Sequence, residues 1–472
     1  MGARYLTTTL PYVNADPHIG FALELVQADA LVRTWRSAGD DVFFNTGTDE
    51  HGQKIWNAAQ KAGKDVQAYV DHYAGEFRKL GDALGLDALE FIRTTDEKHV
   101  RAATEMWKRC EASGDIYLKE YEGLYCVGHE AFVMEKDLVD GKCPDHGAAP
   151  EILKEKNYFF RFSKYQPYLL EYLAKPGVII PEWRRQEAIK FVEGGLEDFS
   201  ISREKKRLSW GIPVPGDDTQ VMYVWFDALT SYISTLGWPD GSDFDTYWNN
   251  GQTLQMAGKD QLRFQSLIWQ AMLKSAGLKA TDAVFYHGFI TSDGKKMSKS
   301  IGNVISPYDL VRKYGTDATR YLLLRHVNPT EDSDVTWERL DEWYTANLTN
   351  GIGNLVARVM KLSEDNHVVA LTADSNALAG GVAGALDAFE FKDAMEHVWQ
   401  RIQTVDRRMN EEEPYKVVKT DPERGKAILQ TMVQDLHEIG QALAPFMPDT
   451  SRRILEAVAA NKKPENLFPR LA

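Results

Sequence analysis

The tightest constraint on this chain sits at its N-terminus, where a strand, a helix and a second strand follow one another. Arg4-Tyr5-Leu6-Thr7-Thr8-Thr9-Leu10 is β-branched and aromatic, stops at Pro11, and reads as a buried strand. After the turn-rich Asn14-Ala15-Asp16-Pro17, Leu23, Val26, Ala30 and Leu31 recur at helical spacing, which predicts a helix from Ile19 to Ala38 with Gly39 as its C-cap. Asp41-Val42-Phe43-Phe44-Asn45-Thr46 is the second strand and runs into Gly47-Thr48-Asp49-Glu50-His51-Gly52. A helical crossover between two strands makes them parallel, and ligands of such sheets lie outside the strands' carboxyl ends. The fold class expected is therefore α/β with a parallel sheet, and the residues after both strands are candidate site residues.

At 472 residues the chain has room for about three domains of roughly 150 residues. The α/β texture covers 1–115, gives way over 116–207 to aromatic, Lys-rich segments with paired Cys and His, and returns over 208–290 at Val221-Met222-Tyr223-Val224-Trp225-Phe226 and Ala283-Val284-Phe285-Tyr286-His287-Gly288. The middle segment reads as an insertion splitting the sheet. A linking segment occupies 291–343. Over 344–472 strand signals fade, while Met395, Val398, Ile402, Val405 and Met409, then Ile428, Met432, Leu436, Ile439 and Leu443, recur at three and four residues. An α-helical bundle is expected there, with Asp421-Pro422 opening one helix and Ala379-Gly380-Gly381 acting as a flexible joint.

Composition removes several function classes. With 43% hydrophobic and 26% charged residues the chain is neither disordered nor fibrous, and it has no apolar run long enough to span a bilayer. The opening Met1-Gly2-Ala3-Arg4-Tyr5-Leu6 lacks the apolar core of a signal peptide, so the expected location is cytoplasmic. Sixty-nine acids against 55 bases give a net charge of −14, which disfavours indiscriminate attraction to nucleic acid or anionic membrane. RNA binding would need a local patch. Cys110, Cys126 and Cys143 are too few and too scattered for a disulfide framework.

Two segments carry the chemistry. Pro17-His18-Ile19-Gly20-Phe21 opens the first helix, where backbone N–H groups favour an anion, Gly20 allows its close approach, and His18 can donate to a phosphate oxygen. Alone, such a His-x-Gly is also an ordinary turn with a surface histidine. Far downstream, Asp293-Gly294-Lys295-Lys296-Met297-Ser298-Lys299-Ser300-Ile301-Gly302-Asn303 offers alternating Lys and Ser between glycines, suited to neutralising a polyphosphate. Lys296 to Ser300 spell the KMSKS signature of class I aminoacyl-tRNA synthetases, and the His18 segment resembles their HIGH signature. Within that class Leu10-Pro11-Tyr12, Gly47 to Gly52, Asn157-Tyr158-Phe159-Phe160 and Tyr223 to Ala228 resemble motifs of the methionyl-tRNA synthetase family.

The resemblance implies ATP-dependent activation of L-methionine to methionyl-adenylate and transfer to the terminal adenosine of tRNA(Met). It implies a split Rossmann catalytic domain, an α-helical anticodon-binding domain, Mg²⁺ arriving with ATP, no membrane partner, and a monomer. It assigns phosphate and ATP contacts to His18, Gly20, Gly258, Asp260, His287, Gly288, Lys296, Ser298 and Lys299. Asp260, in the segment that approaches the ribose, could instead cap a helix starting near Leu262. Leu10, Tyr12, Trp225, Ala228 and Tyr232 wall the methionine side chain, Asp49 holds its amino group, and Gln261 and Gln265 stand at pocket positions. A thioether is apolar, polarizable and a weak acceptor, so an aromatic box with one hydroxyl suits it. Asn354 and Arg358, spaced to share a helix face, and Tyr415 resemble the anticodon readers, where unstacked bases need a π surface and hydrogen bonds.

Cys126-Val127-Gly128-His129 and Cys143-Pro144-Asp145-His146 form two CxxH pairs, each placing two ligands on one turn. Together Cys126, His129, Cys143 and His146 can close a tetrahedral structural zinc site, or the pairs form a metal-free knuckle. The chain departs from the family where Phe21 replaces the last histidine of HIGH and where Gln261 and Gln265 replace an aliphatic residue and a histidine. Two other readings fit the same motifs: a class I-like nucleotidyltransferase adenylating another small acid, and a catalytically silent tRNA-binding paralogue.

Overall fold

A computed structural model describes residues 2–127, 131–133, 135–144, 147–297, 303–368 and 377–471. Two compact units emerge: unit 1 is Met1–Pro17, Asp40–Lys79 and Ala88–His287, and unit 2 is His18–Gly39, Leu80–Asp87 and Gly288–Ala472.

Unit 1 is built on six parallel strands, β1 (Ala3–Thr8), β2 (Asp41–Thr48), β3 (Leu89–Arg93), β4 (Ile179–Ile180), β5 (Gln252–Gly258) and β6 (Ala283–His287), in the order β3-β2-β1-β5-β6-β4. The expected fold class is the one found. From β1 the chain runs outward to β2 and β3 on one side, and β5 and β6 fill the other, so the strand order reverses between β1 and β5. Such a switch point opens a crevice at the strands' carboxyl ends. Strand β5 escaped the sequence pattern because Gln255 interrupts its apolar run; buried beside Thr281, it accepts that hydroxyl at 3.0 Å. Fully buried Trp107, Phe160, Phe226, Trp248, Trp269 and Tyr286 belong to the core.

The run Val221–Phe226 is not a strand of this sheet. Its first two residues end the strand Asp217–Met222, in a three-stranded antiparallel sheet with Ser202–Glu204 and Pro213–Val214, and a helix, Val224–Leu229, starts immediately after. Met222 N–H donates to Ile212 O at 2.7 Å and Tyr223 N–H to Ile201 O at 2.8 Å, after which Asp227 supplies negative charge to the helix's first turn. Between the halves, Ile116–Cys126, Ala131–Val133, Glu151–Phe160 and Phe199–Ser200 form a separate four-stranded antiparallel sheet.

In unit 2, helix α1 (Ile19–Ser37) ends where expected: Gly39, at φ 91°, donates its N–H to Arg36 O at 3.0 Å. Within this helix Asp29 is fully buried and paired at 2.6 Å with the equally buried Arg320. The helices α2 (Asn354–Asp365), α3 (Phe391–Glu411), α4 (Pro414–Thr420), α5 (Pro422–Leu443) and α6 (Pro448–Ala459) supply the all-helical C-terminal part. Met395, Val398, Ile402, Val405 and Met409 are buried on α3, and Met432, Leu436, Ile439 and Leu443 on α5. Asp421 caps α5, its carboxylate accepting Arg424 N–H at 3.2 Å. The flexible joint expected at Ala379-Gly380-Gly381 lies instead inside the helix Ala377–Asp387, where flanking alanines outweigh the glycine cost. Among the described residues no helix is long and apolar enough to cross a membrane.

Candidate active site

The amino-acid side of the candidate site is assembled within unit 1, at the strand ends. Beyond β1 the chain stays extended, so that Tyr12 bridges Asp49 beyond β2; Asp49 N–H donates to Pro11 O at 3.0 Å and Val13 N–H to Asp49 O at 3.3 Å. The Asp49 carboxylate and the Tyr12 ring thereby come from neighbouring extended segments. The Trp225 ring meets Tyr12 edge-on, 6.1 Å between centroids, and stacks on Phe264 at 3.8 Å with 15° between planes. Phe264 was not anticipated; it opens a π-helical turn, Phe264–Ile268, a conformation without a sequence signature. Leu10, Ala228 and Tyr232 are buried. The Gln265 amide donates to the Tyr232 hydroxyl at 2.7 Å, and its own Oε1 is buried without a hydrogen-bond partner among the described residues.

At the end of β5, Gly258 lets two polar groups converge. A Cβ there would stand 2.8 Å from Asp260 Oδ1 and 3.7 Å from the His287 ring, which lies at the end of β6. Asp260 caps no long helix: it sits exposed in a 3₁₀ turn, Lys259–Gln261, and accepts the Gln261 amide at 3.0 Å. Gln261 Oε1, like Gln265 Oε1, is buried and has no partner among the described residues. An unsatisfied buried acceptor costs about 1–3 kcal/mol, so these two oxygens mark positions that gain from a donor.

Unit 2 carries the phosphate signatures. His18 is exposed and caps α1 from an extended conformation, with Nδ1 accepting Gly20 N–H at 3.1 Å. An accepting Nδ1 bears no proton, so the neutral ring carries its hydrogen on Nε2. Phe21 is 8% exposed, so the residue replacing the signature's last histidine is an apolar packing element. Lys295–Lys296 pairs antiparallel with Ile290–Ser292, Thr291 opposite Lys296. Asp334 accepts Gly294 N–H at 2.7 Å, and the Asn303 amide donates to Ser292 O at 3.4 Å. Gly288 lies so near the Glu331 backbone that a Cβ would come within 2.1 Å of its carbonyl carbon. Ser298 and Lys299 lie outside the described residues.

Asn354 is exposed at the start of α2, and Arg358 one turn later is tied to Asp406 at 3.3 Å and Asn410 at 3.1 Å on α3. Tyr415 is 39% exposed and donates its hydroxyl to Glu413 at 2.9 Å. Cys126 ends its strand and Cys143 sits in a turn closed by Gly147 N–H to Cys143 O at 2.8 Å; both are buried. His129 and His146 lie outside the described residues, and among the described residues no three His, Cys, Asp or Glu side chains cluster as metal ligands.

A parallel sheet with a switch point between β1 and β5, and with the two signatures in this order, defines a class I aminoacyl-tRNA synthetase. The family model described as "tRNA synthetases class I (M)" matches residues 4–149 and 135–360. The methionine–tRNA ligase of Fusobacterium nucleatum subsp. nucleatum is 38% identical over 481 residues, 98% of this chain and 75% of that protein. That of Thermotoga maritima is 38% identical, over 98% of this chain and 76% of its own length. Mycobacterium tuberculosis methionyl-tRNA synthetase in complex with methionyl-adenylate superposes with a TM-score of 0.90 at 36% identity, covering 100% of this chain and 99% of that one. The chain belongs to the methionyl-tRNA synthetase family.

Proposed function

We propose that the chain activates L-methionine with ATP and transfers it to the 3′ adenosine of tRNA(Met). The observation that carries this reading is the aromatic cluster of Tyr12, Trp225 and Phe264 at the carboxyl ends of the sheet, with Asp49 bridged to Tyr12. A thioether side chain is matched by polarizable rings, an α-ammonium by a carboxylate. In the first step the methionine carboxylate attacks the α-phosphate of ATP, a new C–O–P linkage forms, and pyrophosphate departs. In the second a ribose hydroxyl of the tRNA attacks the activated carbonyl and AMP leaves. Neither step needs a protein nucleophile. His18, the amides at the start of α1, Lys296 and Lys299 stabilise phosphate charge, and Mg²⁺ enters as part of the ATP complex. Asp260 accepts from the ribose hydroxyls, Gly258 makes room, and His287 and Gly288 flank the adenine.

ATP–pyrophosphate exchange with a panel of amino acids tests this reading. Methionine should support exchange at least about a hundredfold better than leucine or glutamine, the scale one well-fitted pocket reaches without editing. Faster exchange with another small acid would favour the broader nucleotidyltransferase reading.

The same proposal extends to the domains, with 1–115 and 208–290 as the catalytic halves, 116–207 as the connective insertion, 291–343 as the KMSKS and linking segment, and 344–472 as the anticodon-binding domain. Arg358, held by Asp406 and Asn410, presents donors beside Asn354, and Tyr415 offers a stacking face. Arg358→Ala should slow tRNA charging by the equivalent of about 1–3 kcal/mol, with tRNA-independent exchange unchanged. Equal loss in both assays would make Arg358 a structural residue.

Two buried thiols, Cys126 at the end of its strand and Cys143 at a turn, suit a structural zinc ion, which prefers thiolate donors. Cys126, His129, Cys143 and His146 would hold it, and it would take no part in the reaction. About one zinc per chain is expected in metal analysis of the purified protein, and Cys143→Ser should lose it. Metal-replete protein without zinc would leave a metal-free knuckle.

A further inference from the structure

We infer that Asp227 and the two histidines it joins, His51 and His99, form a positioning network that sets the shape of the amino-acid pocket and so governs affinity for the amino acid rather than for ATP. The inference rests on the reading of the unit 1 aromatic cluster as the methionine pocket.

Asp227 lies on Val224–Leu229, the short helix that also carries Trp225 and Ala228, and its carboxylate is entirely shielded from water. Each oxygen is taken by a different imidazole: Oδ2 by His51 Nδ1 at 2.7 Å and Oδ1 by His99 Nε2 at 2.6 Å. Burial pushes this carboxyl's pKa up, but the charge and hydrogen bonds of His51 and His99 outweigh it and hold the group below the usual carboxylate range. An ionised carboxylate can only accept, so both imidazoles donate. The far nitrogen of His99 meets Ser234 Oγ at 3.0 Å, which carries the network into the next helical turn, Ser231–Ser234, beside Tyr232.

His51 is two residues from Asp49. The loop between them is clamped at Glu50, whose buried carboxylate takes a bidentate pair from Arg93 at 2.7 and 2.8 Å and the Thr48 hydroxyl at 2.6 Å. Trp210 Nε1 donates to Glu50 O at 2.6 Å and packs its ring on His51 at 5.5 Å. The His51–Asp227 bond therefore joins the loop bearing the amino-group ligand to the helix bearing the aromatic wall. A carboxylate is an expensive way to fill a buried position, and a fully satisfied network offers what an apolar contact does not, one register between two elements. Trp225 depends on that register, because its 3.8 Å stack on Phe264 and its edge contact with Tyr12 come from different segments.

The test is exchange kinetics of the full chain. Asp227→Ala should raise the KM for methionine about tenfold or more while the KM for ATP stays within about twofold. Asp227→Asn should recover most of the methionine KM, since an amide of the same shape can accept from one histidine and donate to the other once that ring changes tautomer. His51→Ala, which removes one arm and leaves the carboxylate paired with His99, should show the same split and serves if Asp227→Ala does not fold. Folded variants whose two KM values are unchanged, or rise together, would overturn the inference while wild-type exchange with methionine stands. A wild type without methionine-dependent exchange would overturn the reading beneath it as well.

Discussion

Replacing His18 by alanine should slow adenylate formation by about 10²–10³-fold, the equivalent of about 2.7–4 kcal/mol of transition-state stabilisation. The reason lies in how the ring is held. Gly20 N–H occupies Nδ1 at 3.1 Å, which fixes the proton on Nε2, and an oriented donor needs no reorganisation when phosphate charge develops. Since Phe21 is an apolar packing residue, no second side-chain donor comes from that end of the signature. Alanine also removes the N-cap of α1, worth about 1 kcal/mol of stability. Asparagine separates the two effects: His18→Asn should restore the cap and the melting temperature but not the rate. Single-turnover adenylate formation and thermal denaturation on the three proteins measure both. A rate loss below about threefold in His18→Ala would take the imidazole out of the chemistry.

The second large effect is on stability. Arg320, with no exposed side-chain surface, is paired with Asp29 at 2.6 Å and donates to Phe446 O at 2.7 Å, Pro445 O at 2.9 Å and Leu84 O at 3.2 Å. Alanine at this position strands two buried carbonyls and a half-buried one, and removes one of the two cations beside Asp29 among the described residues, the other being Arg33 at 2.7 Å. Breaking a buried pair from one side costs about 3–5 kcal/mol, so Arg320→Ala should lower the stability of unit 2 by that amount in urea denaturation. Lysine should recover little, because one ammonium cannot reproduce a planar fork that serves four acceptors. A loss under about 1 kcal/mol would mean that water replaces the guanidinium without penalty.

What could be read in the sequence divides along physical lines. The strand–helix–strand opening and the heptad-like rows of α3 and α5 were legible because burial on one face leaves a periodic trace. Strand β5 left none, since Gln255 pays its burial through a hydrogen bond to Thr281, distant in sequence. Val221–Phe226 looked like a strand because β-branched and aromatic residues fill it, yet backbone bonds from Met222 and Tyr223 end the strand and the helix begins. In the candidate site, Tyr12, Asp49 and Trp225 were named from motifs and are brought together by extended backbone and ring contacts. Phe264 and the Asp227 network were missed, because a stacking partner and a shared carboxylate depend on the tertiary path alone.

The membership of α1 carries a consequence for how this chain can be taken apart. Though it follows β1 directly in sequence, the helix that bears His18 groups with the C-terminal half, and its buried Asp29 finds Arg320 there. A chain cut after His287 would keep every strand of the parallel sheet yet strip that carboxylate of its fully buried cation. The natural seam for shuffling, truncation or inheritance of parts is therefore not a point along the polypeptide. An ancestor or an engineer exchanging the helical half would have to exchange the HIGH-like helix with it.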